Sequence, residues 1–163
     1  MLSRLLTAGA VILVAALMPP SVTADTVTKV CNVGRMKVKI SDSFQETASS
    51  SYKNMPATAI NFVQGSSSGC VVVHFSAEVS VSEETIMWLR AVIDGGDYIA
   101  IARDLPVHYN ASGGDLHAFN FVFTGIPAGA HRVAIQWWSG GSTPANPLRV
   151  FVWNRSTIVQ YAP

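Results

Sequence analysis

The residues with the clearest chemical potential form one short run, Trp138-Ser139-Gly140-Gly141-Ser142-Thr143. An indole face stacks on a sugar ring or fills an interface, and neighbouring hydroxyls can exchange hydrogen bonds with a polyol. Trp138 with Ser139, Ser142 and Thr143 is therefore the candidate ligand site; the alternative is that Trp138 packs under that loop. Material for acid–base chemistry is thinner. His74, His108, His117 and His131 are available with Glu78, Asp94, Asp97, Asp104 and Asp115, but the chain holds no Gly-x-Ser-x-Gly and no His-Glu-x-x-His. Hydrolysis wants a nucleophile, a base and an orienting acid held together. His74 and Glu78, four apart, share a strand face and read as a polar pair at the surface, so no catalytic residue is assigned. Asp94-Gly95-Gly96-Asp97 could offer oxygens to calcium. Turn chemistry explains both aspartates without a metal, and neither a metal nor a cofactor is expected.

Strands must position these groups, because the apolar residues repeat with period two. In the stretch FNFVFTGIPAGAHRVAIQWW, residues 119–138, Phe119, Phe121 and Phe123 share one face, as do Val133, Ile135 and Trp137. Pairing the two runs across Gly125–Gly129 predicts a hairpin with one apolar face; Trp137 then lies in the core and Trp138 points outward. Met36-Lys37-Val38-Lys39-Ile40 alternates apolar with basic, and further strands are predicted over 57–63, 70–81, 85–93, 98–103, 148–153 and 157–161. Asp94-Gly95-Gly96-Asp97 is a hairpin signal. The expectation is an all-β chain, an antiparallel β-sandwich of about eight strands, and in the alternative reading of Trp138 both Trp88 and Trp153 are ordinary core.

The N-terminus reads as an export signal. Arg4 precedes an uncharged apolar run, residues 5–18, shorter than the roughly 20 residues of a spanning helix; Pro19-Pro20 and Val22-Thr23-Ala24 follow it. Residues 1–24 are taken as a cleaved signal peptide and residues 25–163 as one domain in the periplasm or outside the cell, with no membrane attachment after cleavage. Cys31 and Cys70 are then expected to form a disulfide, two separately buried thiols being the alternative. Only 13% of the residues are charged, the formal net charge is +1, and the basic residues are scattered singly. That gives no electrostatic case for nucleic acid.

Three segments carry a resemblance: VVVHFSAEVS (71–80), MWLRAVIDGG (87–96) and FNFVFTGIPAGAHRVAIQWWSGG (119–141), followed by LRVFV (148–152). Over residues 68–152 the chain resembles a group of secreted bacterial β-sandwich domains of unassigned function, similar in architecture to tumour-necrosis-factor-like jelly rolls. The resemblance implies a jelly roll and carries over no catalytic residues; since such jelly rolls are often trimers, it also implies a possible homo-oligomer. The expected function is a non-enzymatic binding module for carbohydrate or a surface protein, the alternative a self-associating assembly protein.

Overall fold

The computed structural model describes residue 31 and residues 33–66, 69–82, 85–100, 104–108 and 113–163. The signal-peptide reading falls on residues 1–24, outside the described residues. The described residues form eleven strands: β1 (Arg35–Ser41), β2 (Gln45–Thr47), β3 (Lys53–Asn54), β4 (Ile60–Gln64), β5 (Cys70–Val81), β6 (Ile86–Ile93), β7 (Tyr98–Ile99), β8 (Leu105–His108), β9 (Asp115–Thr124), β10 (Gly129–Gly140) and β11 (Val150–Tyr161). Three of these are two- or three-residue pieces, β2, β3 and β7, which leaves eight principal strands.

The pairing of the principal strands is nested. β1 pairs with β11, β4 with β10, β5 with β9 and β6 with β8, all antiparallel. First meets last and fourth meets fifth, as in one long hairpin rolled up on itself. Sheet A then has the order β1-β11-β5-β9 and sheet B the order β4-β10-β6-β8, with β2, β3 and β7 extending the edges. This is the double-sheet jelly roll.

Period-two alternation builds the core between the sheets. Val71, Val73, Phe75, Ala77, Val79 and Val81 of β5 are buried, and the residues between them face out half-exposed. Sheet B answers with Met87, Leu89, Ala91 and Ile93 from β6 and Val133, Ile135 and Trp137 from β10. The expected hairpin across Gly125–Gly129 does not form. β9 pairs with β5 in sheet A, while β10 pairs with β3, β4 and β6 in sheet B. The connection changes sheets instead, with Gly125 at φ +74° and Ile126 fully buried as the plug between the layers. The two apolar runs face each other across the core rather than lying side by side.

Two shorter readings change as well. β11 is continuous where two strands were expected, because a bulge at Asn154–Arg155 absorbs the interruption: Trp153 pairs with Glu78 and Ser156 with Ser76, with Asn154 at φ +44°. β8 was not anticipated, since Pro106 lies inside it. Proline is tolerated there because β8 pairs only with β6, at the sheet edge. The Asp94–Asp97 turn does connect a hairpin, β6 to β7, with Val92 opposite Ile99 and Ile93 opposite Tyr98.

The disulfide joins Cys31 to Cys70 and ties the N-terminal segment to the start of β5. No helix among the described residues is long and apolar enough to cross a membrane; a disulfide is compatible with an extracytoplasmic location.

Candidate functional site

The outer face of sheet B is where side chains of different chemistry converge. Trp138 on β10 stands opposite Trp88 on β6, and one row further Gln136 stands opposite Arg90 on one side and Asn54 on the other. Trp88 is half-buried on this outer face rather than in the core. Its indole lies across Gly140: a Cβ there would come within 2.8 Å of Trp88 Nε1. Only a glycine lets the Nε1–Cδ1 edge of the ring come this close to the backbone. The indole planes of Trp88 and Trp138 differ by 13°, with ring centroids 6.1 Å apart, so the two rings form one aromatic platform.

Tyr52, from the β2–β3 connection, borders the platform edge-on, its ring centroid 6.1 Å from that of Trp138 at 67°. Arg90 Cζ sits 3.8 Å above the Tyr52 ring, a cation–π contact. A polar relay runs beside the aromatics. Tyr52 Oη donates to Asp104 Oδ1 (2.6 Å), Arg90 Nε donates to Gln136 Oε1 (2.8 Å), and Gln136 Nε2 donates to Asn54 Oδ1 (3.0 Å). Burial and the hydrogen bond to Asp104 push the Tyr52 phenol up to about 12, so it stays a neutral donor at physiological pH. Each partner fixes the orientation of the next, so flat rings lie beside fixed amide, guanidinium and carboxylate groups.

The hydroxyls expected beside Trp138 are placed differently. Ser139 and Ser142 are buried. Ser139 Oγ donates to Leu148 O (2.7 Å) and lies 3.1 Å from Thr85 Oγ1, while Ser142 Oγ donates to Ala48 O (2.7 Å) and accepts from Leu148 N (3.2 Å). Thr143 is exposed, but its Oγ1 accepts from Asn146 N to close a turn. These three pin the loop after β10, and the polar rim of the platform comes instead from Tyr52, Asn54, Arg90, Asp104 and Gln136. Strand alternation gives the reason: Ser139 follows an outward residue and must point in.

Asp94 and Asp97 also separate. Asp94, at φ +52°, has both carboxylate oxygens engaged: Oδ2 lies 2.6 Å from His131 Nδ1 and Oδ1 accepts from Arg132 N at 2.8 Å. Burial works to raise its carboxyl, but the bonds from His131 and Arg132 outweigh it and hold it below the ordinary value. Asp97 is exposed on the far side of the turn. Among the described residues no group of three or more His, Cys, Asp or Glu is arranged to hold a metal ion. The histidines are dispersed. His74 bridges Asn120 and Gln160 on the outer face of sheet A, His117 stacks on Phe119, and His131 sits between Asp94 and Pro127 O. Glu78 accepts from Asn154 Nδ2 (2.9 Å), two rows from His74.

Fold and site together define a jelly-roll β-sandwich with an aromatic and polar platform on one outer face. No protein-family model matches the chain, and no curated protein matches it. Among solved structures it is similar to dimeric latent PorU from Porphyromonas gingivalis, with 11% identity and a TM-score of 0.45 over 86% of this chain and 14% of that one. It is also similar to a family two carbohydrate esterase from Cellvibrio japonicus, with 14% identity and a TM-score of 0.31 over 79% of this chain and 36% of that one. The chain thus spans well under two thirds of either protein.

Proposed function

We propose that the chain is an exported, non-enzymatic binding module and that the outer face of sheet B holds carbohydrate. The observation that carries this reading is the Trp88–Trp138 platform, laid against Gly140 and bordered by Tyr52, Arg90, Gln136 and Asn54. Sugars offer apolar C–H faces ringed by hydroxyls. A flat aromatic surface with fixed donors and acceptors at its rim complements both parts. The test is a polysaccharide screen by affinity electrophoresis, with tryptophan fluorescence as a second readout. Trp138→Ala is expected to weaken binding by at least tenfold while the thermal midpoint moves little. Retention by no glycan, or equal retention of the variant, defeats the reading.

A second reading is favoured by a different surface. On the outer face of sheet A, Met36, Val38 and Ile40 of β1 are 59%, 49% and 77% exposed, Leu116 of β9 is 77% exposed and Phe44 is 58% exposed. Met36, Val38 and Ile40 follow one another along the β1 edge, with Leu116 at the opposite edge of the sheet, and clustered exposed apolar side chains mark interaction surfaces. Self-association through sheet A would bury them and leave sheet B free, so the two readings are compatible.

A further inference from the structure

Among the described residues, Lys37, Arg90 and Arg132, on and beside the outer face of sheet B, form no ion pair with a carboxylate; the two ion pairs that form there are His131–Asp94 and Arg149–Glu46. Lys37 and Arg132 line a shallow pocket of about 370 Å³ together with Asn61, Asp94 and His131. Both carboxylate oxygens of Asp94 are already engaged within the pocket, Oδ2 against His131 Nδ1 at 2.6 Å and Oδ1 accepting from Arg132 N at 2.8 Å. Lys37 commits one of its three donors, to Asn61 O at 2.7 Å. The pocket therefore sets two permanent cations, a point-like ammonium and a planar guanidinium that matches an oxyanion, against one carboxylate whose oxygens are already bonded.

Arg132 links this pocket to the polar groups beside the platform. Arg132 also borders a hollow of about 90 Å³ floored by Val92 and Ala134 and bounded by Gly95 and Asn54. Asn54 is the end of the relay that runs through Gln136 and Arg90 to the aromatic rings. Along β10 the residues of outer-face parity are Arg132, Ala134, Gln136 and Trp138, with Ala134 and Gln136 buried between the two ends, and from cation to indole the distance is about 20 Å of strand. We propose that the Lys37–Arg132 pocket is an anion subsite and that the ligand of this face is an acidic glycan, its sugar rings on Trp88 and Trp138 and a carboxylate or sulfate group held between Lys37 and Arg132. The inference rests on the carbohydrate reading of the platform. A nucleic-acid strand is the poorer fit, because its phosphates need a row of cations and the whole chain carries a formal net charge of +1.

The test compares three glycans of similar length on the purified protein: an oligogalacturonate, a sulfated dextran fragment and a neutral cello-oligosaccharide, with a single-stranded oligothymidylate as a fourth probe. One of the acidic glycans is expected to bind about tenfold more tightly than the neutral one, and which of the two does so distinguishes carboxylate from sulfate. The double variant Lys37→Gln/Arg132→Gln is expected to lose that gain with neutral binding unchanged. Arg149→Gln, which removes a positive charge from the opposite sheet, is expected to keep it. Equal affinity for acidic and neutral glycans, with Trp138→Ala still abolishing both, removes the anion subsite and leaves the platform reading standing. So does an equal loss in Arg149→Gln, which would signal non-specific attraction. Tightest binding to the oligothymidylate overturns the acidic-glycan assignment. Binding of no glycan defeats the platform reading and this inference with it.

Discussion

At the scale of single residues, the platform depends on one glycine and one phenol. Gly140 has an ordinary extended φ, so an alanine there costs little in the backbone, but its Cβ would meet Trp88 Nε1 at 2.8 Å and Trp88 Cδ1 at 3.1 Å. The indole must then lift from the sheet. Gly140→Ala is expected to weaken glycan binding about as far as Trp88→Ala does, with a stability loss below about 1 kcal/mol; titration of both variants beside a melting curve checks this, and undiminished binding would show that the close approach of the ring is unimportant. Tyr52 makes a prediction in pH. Its folded-state phenol lies at about 12 against an unfolded value of 10.0. Because the group is neutral when protonated, its contribution is fully present below pH 10 and is lost as the pH rises through 10 towards 12. Absorbance titration at the tyrosinate band should show a late-titrating phenol that disappears in Tyr52→Phe. Its persistence in that variant would reassign the shift.

Elements explain what could and could not be read from the chain alone. β5 was legible residue for residue, 70–81, because residues 71–81 alternate without a break and both ends carry turn chemistry. The outward direction of Trp138 followed from the same parity. The alternative that puts Trp88 and Trp153 in the core fails on parity: Leu89 and Val152 point inward, so the tryptophans next to them lie on outer faces. The β9–β10 relation was illegible for a deeper reason. Alternation fixes which side chains share a face, but a hairpin within one sheet and a crossing between two sheets show the same alternation. Nothing in the sequence joins Tyr52, Asn54 or Asp104 to Trp138, because they enter from short edge strands and connections with no periodic signal; Asp104 stands out only as one of several scattered carboxylates. Arg155 shows a further effect beyond sequence patterning. It is 1% exposed, at the β11 bulge, and donates from Nε to Pro56 O (3.1 Å), from Nη1 to Ser43 O (2.5 Å) and from Nη2 to Ser43 Oγ (3.0 Å). Burial lowers its affinity for the proton, though Asp42 opposes this. The guanidinium therefore fastens two loops to sheet A. Arg155→Met keeps volume but strands those acceptors, and a loss of about 3 kcal/mol is expected in chemical denaturation. A change within 0.5 kcal/mol would mean that water replaces the guanidinium without penalty.

On the scale of the whole molecule, the open side of the sandwich bears on how copies of the chain can meet. β1 and β4 are edge strands of opposite sheets, and an edge strand is a template for pairing with another chain. Lys37 and Lys39 reverse the usual amphipathic logic of β1. They turn towards the other sheet and donate to Asn61 O and Ala59 O, at 2.7 and 3.2 Å, while Met36, Val38 and Ile40 face solvent. The lysines occupy carbonyls on the β4 edge, which opposes strand addition there, and they leave the apolar side chains of β1 for a face-to-face contact. Self-association is therefore expected to join outer faces of sheet A rather than sheet edges. Light scattering coupled to size exclusion, with and without Ile40→Lys, separates the cases. An oligomer that dissociates in Ile40→Lys and keeps its glycan affinity places assembly on sheet A and recognition on sheet B. A monomeric wild type removes the assembly reading, and the exposed residues of β1 then need a partner other than a second copy.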